Sequence, residues 1–171
     1  MTSGPRFFGK YRATVLNNID PRNQGRIQVQ LADRYGMTPS TWALPSFPMA
    51  ALTGGVVVLP PLMSSVWIEF EAGDPDYPIW SGAFFPDTGS VPPQVMAGAT
   101  PATPNIFVQT VGGVSLTLSD NPMLQVLIKT LTGAMISMSD ATGITISNGQ
   151  GASIVMMGKS VIINEGALTI T

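Results

Sequence analysis

Four carboxylates fall within eight positions of the chain, at Glu69, Glu71, Asp74 and Asp76. Glycosidases cleave sugars with paired carboxylates, one of which acts as the general acid. That chemistry needs two groups facing each other across a cleft, one with a pKa raised by an apolar pocket. Here the glutamates alternate with apolar residues, as on the solvent face of a strand, and the aspartates flank a proline in a turn. We therefore expect no catalytic pair, but a structural turn made by Gly73, Asp74, Pro75 and Asp76.

Other residue types that carry chemistry are missing from the sequence. It contains no histidine and no cysteine, which removes Ser–His and Cys–His nucleophiles and the imidazole or thiolate ligands of zinc and iron. No glycine-rich loop ends in Lys-Ser/Thr, so the phosphate-binding loop of nucleotide hydrolases is absent as well. The tryptophans at 42, 67 and 80 are more typical of barrel core and trimer contacts than of a cofactor site. We expect no enzyme activity, no cofactor and no metal site.

The last third of the chain is a tandem repeat of short strands. Apolar residues recur every ten positions, as at Leu116, Val126, Ile136 and Ile146, and then every eight. Within each unit they alternate with small polar residues, which is the period-2 pattern of a strand. Repeats of this kind are stronger evidence of a fold than isolated motifs.

A repeat of eight to ten residues holds one strand and a tight turn, which is too short to close a solenoid coil within a single chain. Three identical chains around one axis could enclose a core, and neighbouring chains would then satisfy the strand edges. We therefore predict an intertwined trimeric β-helix, with an ordinary β-sandwich of accidental spacing as the alternative. The predicted trimer core is Val126, Ile136, Ile146, Ile154, Ile162 and Ile170.

The first half of the chain predicts a small closed β-barrel. Alternating segments at residues 7–19, 26–31 and 65–71 predict strands, and residues 54–58 and 77–84 complete a set of five short strands. Turn-forming sequences separate them, as at Asp20-Pro21 and Gly73-Asp74-Pro75. Residues 86–104 hold five prolines and one charge, which is typical of an extended linker. The expected domains are residues 1–85 (barrel), 86–104 (linker) and 105–171 (β-helix).

Several stretches of the barrel resemble a known family. Residues 66–82 (VWIEFEAGDPDYPIWSG) resemble the signature of the OB-fold domain in central spike proteins of contractile-tailed phages and of type VI secretion systems. Further matches are Tyr11 to Val15 before Asp20-Pro21, then Gly25-Arg26-Ile27-Gln28-Val29, and Trp42-Ala43 with Pro45 and Pro48. The similarity spans roughly residues 8–86. It implies an OB-fold barrel followed by a trimeric β-helix, the architecture that the repeat predicts separately.

Departures from the family refine these expectations. Some relatives carry a lysozyme domain between barrel and helix, and here only the short linker stands there. Some short spikes bind iron at the tip through histidines, which this sequence lacks. We expect a separate protein to cap an apolar tip at Leu168, Ile170 and Thr171. The short segment before the barrel implies a separate hub protein.

The resulting hypothesis is mechanical: a homotrimeric spike sits on a baseplate hub and pierces the target cell envelope when the sheath contracts. The resemblance implies a location in a virion or an assembled injection particle. Residues 1–5 do not resemble a signal peptide, and no apolar stretch is long enough for a membrane helix. A nucleic-acid-binding OB protein is one alternative, although a net charge of −2 gives no general attraction to nucleic acid. A receptor-binding tail fibre tip is the other, although the predicted rod carries neither Trp nor Tyr.

Overall fold

The structure, a computed structural model, describes residues 5–32, 36–97 and 99–170, except for the side chains of Gly166, Thr169 and Ile170. The fold is all-β. The chain divides into two compact units, Met1–Ser90 and Val91–Thr171, within the segment expected to be a linker. Each unit is described by itself below.

The first unit is a five-stranded barrel with an added hairpin. The sheet has the order β2-β1-β6-β7-β3. A backbone bridge from Ile27 to Ala43 joins the segments that lead into β2 and into β3, and so closes the ring. Its strands are β1 (Tyr11–Asn17), β2 (Gln28–Gln30), β3 (Leu44–Pro45), β6 (Ser65–Phe70) and β7 (Pro78–Ala83), and the hairpin is β4 (Met49–Ala50) with β5 (Gly55–Val56).

The alternation of the sequence decides which side chains fill the barrel. In β6 the buried residues are Val66, Ile68 and Phe70, and the residues between them are half-buried. The indole of Trp80 lies among them and donates a hydrogen bond from Nε1 to the carbonyl of Gly25, at 3.1 Å. Gly25 has a φ of +74°, and a Cβ there would lie 2.8 Å from the Phe47 ring. The close packing of the barrel therefore requires glycine at this position.

The second unit is a single antiparallel sheet in which every strand lies beside its neighbour in sequence. Its order is β15-β14-β13-β12-β11-β10-β9-β8. The strands are β8 (Ile106–Gln109), β9 (Ser115–Leu118), β10 (Val126–Lys129), β11 (Met135–Ser139), β12 (Gly143–Ser147), β13 (Ser153–Met157), β14 (Ser160–Ile163) and β15 (Leu168–Ile170). The repeat predicted from the sequence is therefore a succession of hairpins.

The prediction that other chains would satisfy the strand edges is wrong for the strands inside this sheet. Both edges of β9 to β14 are hydrogen-bonded to the preceding and following strands of the same chain. The reason is the short repeat, because a tight turn after each strand makes the next strand its antiparallel partner. Contact with other chains is left to the faces of the sheet and to its two rows of loops.

Short 3₁₀ turns complete the structure. They are Glu71–Gly73 in the barrel, Thr88–Ser90 and Pro93–Val95 in the proline-rich segment, and Asn164–Gly166 between β14 and β15. The side chain of Asn105 donates a hydrogen bond to the carbonyl of Ala97, at 2.8 Å, and so holds the end of this segment beside β8. None of the helices in the described residues has the length and apolar character needed to cross a membrane.

Candidate functional site

The carboxylates singled out in the sequence do not face each other as a catalytic pair. Glu69 lies on the outer side of β6, where Lys10 forms an ion pair with it and the Ser81 hydroxyl donates a hydrogen bond at 2.8 Å. The Lys10 ammonium, and then Ser81, hold the pKa of Glu69 below its ordinary value. A general acid needs a raised pKa instead, so Glu69 is suited to structural pairing.

Asp74 and Asp76 lie in the turn that joins the first 3₁₀ turn to β7. The Asp74 carboxylate accepts a hydrogen bond from the backbone N–H of Asp76 at 3.0 Å, and its carbonyl accepts one from Tyr77. Pro75 stands between them, and Gly73 before them has a φ of +79°. These contacts are local, as in other turns closed by aspartate side chains.

A more extensive polar network centres on Asp20, for which the sequence predicts only an ordinary turn. Its carboxylate accepts hydrogen bonds from the backbone N–H groups of Arg22, Gln24 and Arg26, and from the Arg26 guanidinium at 2.6 Å. The Arg26 guanidinium also lies over the Trp42 ring, 5.4 Å from its centroid. These bonds hold the pKa of Asp20 well below its ordinary value, with the Arg26 bond as the largest cause. The sequence indicates this network only through an Asp-Pro turn that is followed by a basic residue.

A shallow cleft of about 480 Å³ lies beside this network in the barrel. Its apolar walls are Ile19, Phe47, Val57 and Leu59. The nearest carboxylate, Asp20, is already engaged by Arg26 and by three backbone groups, so it is not available as a ligand. Among the described residues, no group of three or more acidic side chains is arranged to hold a metal ion.

One face of the eight-stranded sheet has an unusual composition. The strand registers place fifteen described side chains on it, and all of them are apolar. We call this set the apolar face: Ile106, Val108, Leu116, Leu118, Val126, Ile128, Ile136, Met138, Ile144, Ile146, Ile154, Met156, Val161, Ile163 and Leu168. Nine of them are between 37% and 63% exposed. No described part of this chain therefore covers the apolar face.

The other side of the sheet, which we call the polar face, has a different composition. Ten of its sixteen described side chains are polar, mostly serine and threonine. The polar members are Gln109, Ser115, Thr117, Lys129, Ser137, Ser139, Thr145, Ser147, Ser153 and Ser160, and the apolar ones are Phe107, Leu127, Met135, Val155, Met157 and Ile162. A sheet with one wholly apolar face must bury that face against another layer. Monomeric proteins rarely expose so large a continuous apolar patch.

Four of the six predicted core residues come together on the apolar face. Val126, Ile136, Ile146 and Ile154 lie there, the last two directly opposite each other. Ile162 does not join them, since it pairs with Val155 on the polar face. The backbone of Ile170 pairs with Val161, but its side chain lies outside the described residues.

The displacement of Ile162 has a simple geometric cause. Paired strands keep even-numbered residues on the same face when the loop between them has an odd number of residues. The earlier loops leave three, five or seven residues between paired positions, whereas the β13–β14 loop leaves two and the β14–β15 loop four. Val161 and Ile163 therefore take the place on the apolar face that spacing alone assigned to Ile162.

Of the residues predicted to contact a tip protein, the structure describes one side chain. Leu168 lies on the apolar face opposite Ile163 and is 52% exposed. The side chain of Ile170 and the whole of Thr171 lie outside the described residues. The contact with a tip protein stays a prediction.

Comparison with known proteins assigns a family to both units. Residues 11–85 match the family model of the type VI secretion system/phage-baseplate injector OB domain. Residues 105–169 match the model of the phage baseplate V C-terminal trimerisation domain. A search of curated proteins finds no match. The two models cover the barrel and the apolar-faced sheet, so the chain belongs to the phage baseplate V family and has the domains of a structural baseplate spike.

Proposed function

We propose that three copies of the chain join through their apolar faces and form a three-sided rod, the spike of a contractile injection machine. The observation that carries this proposal is the apolar face, whose fifteen apolar side chains have no cover within the described chain. Three such faces turned inward would form one continuous core. The match to a trimerisation domain over the same residues supports that number of chains.

The mechanical role follows from how such a rod resists bending. Bending it requires the breaking of many ladder hydrogen bonds and apolar contacts together. One hydrogen bond contributes only about 1 kcal/mol, and one fully buried aliphatic side chain about 1.5–3 kcal/mol. Eight strands in each of three sheets combine many of these contributions in a single cooperative structure. Such an assembly is suited to being driven point-first through a cell envelope when a sheath contracts.

The barrel would connect the rod to the rest of the machine, through a separate hub protein. Support comes from the apolar residues that the barrel exposes around its hairpin and the segment after it, where Leu52, Val57, Val58 and Met63 are all more than 60% exposed. Surfaces of this kind mark contacts between proteins. At the other end of the sheet, the exposed Leu168 supports a contact with a tip-capping protein. Membership of the family supports a location in a phage virion or a related injection particle.

The first test is the mass of the purified chain by light scattering, repeated by gel electrophoresis in mild detergent without boiling. Three chains of 18.0 kDa give about 54 kDa. A species of that mass that persists in detergent is expected from a rod with a shared core. A stable 18.0 kDa monomer would refute the trimer, and with it the spike.

A further inference from the structure

The loops of the eight-stranded sheet form two rows, one along each side on which the strands begin and end. One row consists of residues 119–125, 140–142 and 158–159, and we call it the Asp120 edge. The other consists of residues 110–114, 130–134, 148–152 and 164–167, and we call it the Glu165 edge. In a closed ring of three sheets related by rotation, the contact is heterologous, so each Asp120 edge meets the Glu165 edge of the next chain.

Charged residues are rare in this unit, and four of its five lie on the two edges near β10 and β14. Lys159 precedes β14 on the Asp120 edge, and Glu165 follows the same strand on the Glu165 edge. Asp120 lies in the loop between β9 and β10, and Lys129 ends β10 at the opposite edge. The edges beside each of these two strands therefore carry opposite charges, and the order of the signs is reversed between β10 and β14.

Neither Lys159 nor Glu165 has an ion-pair partner among the described residues of its own chain, and both side chains are exposed. Within one chain they lie beyond opposite ends of β14, whose four residues alone span roughly 10 Å. Glu165 also has a φ of +56°, a conformation that costs a residue with a side chain about 1–2 kcal/mol and that glycine adopts freely. The turn itself would therefore favour glycine at position 165, and the glutamate is explained better by a contact of its side chain.

We propose that Lys159 of one chain forms an ion pair with Glu165 of the next chain, which gives a ring of three such pairs around the rod at β14. This inference rests on the proposed trimer. Rotation about the rod axis does not change the position of a residue along that axis. The end of β14 at the Asp120 edge of one chain therefore meets the end of β14 at the Glu165 edge of the next chain. The two loops are centred one strand apart, about 4.8 Å, a distance that lysine and glutamate side chains span.

The pairing would select the arrangement of the chains more than it would stabilise them. Exposed ion pairs contribute about 0–1 kcal/mol, whereas like charges in contact disfavour a wrong arrangement. Two identical edges in contact would place Lys159 against Lys159 and Asp120 against Asp120. Because the signs reverse between β10 and β14, a chain displaced by four strands along the axis would also bring like charges together. The charges thus favour one edge order and one register.

Zero-length coupling of amines to carboxylates by a carbodiimide tests this proximity directly in the full-length chain. A bond between Lys159 and Glu165, identified by mass spectrometry of peptides, is a bond between chains when it is found in the dimer and trimer bands of a denaturing gel and not in the monomer band. Denaturing gels should then show covalent dimers and trimers. The ion pair of Lys10 with Glu69 lies within one chain and serves as an internal positive control for the reaction.

The matched variant is Glu165→Gln, which keeps the shape of the side chain and removes the carboxylate, and Lys159→Gln is its counterpart. Each should retain the trimer mass in light scattering and lose the bond between chains, while the Lys10–Glu69 bond remains. A wild-type trimer that forms the Lys10–Glu69 bond but not the Lys159–Glu165 bond would overturn the ion-pair ring and leave the spike intact. A monomeric wild-type chain would instead overturn the proposed trimer, and the ring with it.

Discussion

Replacing Ile154 by aspartate is expected to prevent three chains from joining at the apolar face. Ile154 lies near the middle of β13, with Ile146 opposite it on one side and Ile163 on the other. It is 38% exposed in the single chain. In the proposed rod this exposed part would face the axis, together with the same residue of the two other chains.

The magnitude can be worked out from these positions. Loss of one buried aliphatic side chain removes about 1.5–3 kcal/mol, and an unpaired carboxylate in an apolar layer costs several kcal/mol more. Symmetry repeats the change three times in one layer, so the trimer loses on the order of 15 kcal/mol. Domains are typically stable by about 5–15 kcal/mol, so the substitution should abolish the detergent-resistant species.

The matched control is Val155→Asp, one residue further along the same strand. Val155 lies on the polar face, opposite Thr145 and Ile162, so its carboxylate would stay in water. We expect that variant to keep a mass of about 54 kDa in light scattering, three times 18.0 kDa, and to lose about 1 kcal/mol or less of stability.

The Ile154→Asp trimer should partly recover below pH 4. A carboxyl group buried in an apolar layer has a raised pKa, and the cost of burying it falls once it is protonated in both the folded and the unfolded chain.

A detergent-resistant trimer of Ile154→Asp at neutral pH would contradict the burial of Ile154 at the axis. A monomeric Val155→Asp would contradict it equally. Either result would mean that the polar face, and not the apolar face, lies toward the axis.

Two further substitutions test the local structure. Gly143→Ala should lower the free energy of unfolding of the sheet in urea by about 2–4 kcal/mol, because Gly143 has a φ of +76° and a Cβ there would lie 2.1 Å from the Met156 carbonyl oxygen. Its control is Gly158→Ala, which should cost only about 1 kcal/mol, because Gly158 has a φ of +59° but open space around it. Equal losses of stability in the two variants would contradict the steric explanation. Asp20→Asn should lower the urea midpoint of the barrel at pH 7, and the difference from wild type should shrink as the pH falls below about 4. Arg26 depresses the pKa of Asp20 in the folded state. The contribution of Asp20 to stability is therefore complete above its unfolded-state pKa and is lost in acid. A difference between variant and wild type that grows in acid would refute this explanation.

The sequence predicted the fold class and placed four residues of the apolar face on one side of the strands for a physical reason. Alternation with period 2 reports directly which side of a strand is buried, as at Val126 and Ile146, and successive loops of odd length keep that alternation in phase. Ile162 escaped prediction because its face depends on the length of a loop, and loop lengths are decided by where the turn closes. The hairpin at Gly158 closes with two residues, the first at a positive φ, and nothing in the spacing of the isoleucines signals that closure.

Other features depend on contacts that are distant in the sequence. The stacking of Arg26 on Trp42 joins residues from different parts of the barrel, and the Asp20 network needs the turn to close around the carboxylate. The opposite charges at the two ends of β14 were visible in the sequence, but they acquire a meaning only once the strands are known to run across the sheet between two edges. Composition alone indicates only that residues 106–171 contain few charged residues.

The zigzag path of the chain also limits how the length of such a rod can change in evolution. Inserting a single strand would carry everything after it to the opposite edge, so that Glu165 would lie in the row that now holds Asp120 and Asp140. Inserting two strands with odd loops would restore both the edge and the face of every later residue. Length would thus change in steps of two strands, about 10 Å each at the usual strand spacing, and relatives of different reach are expected to differ by whole hairpins.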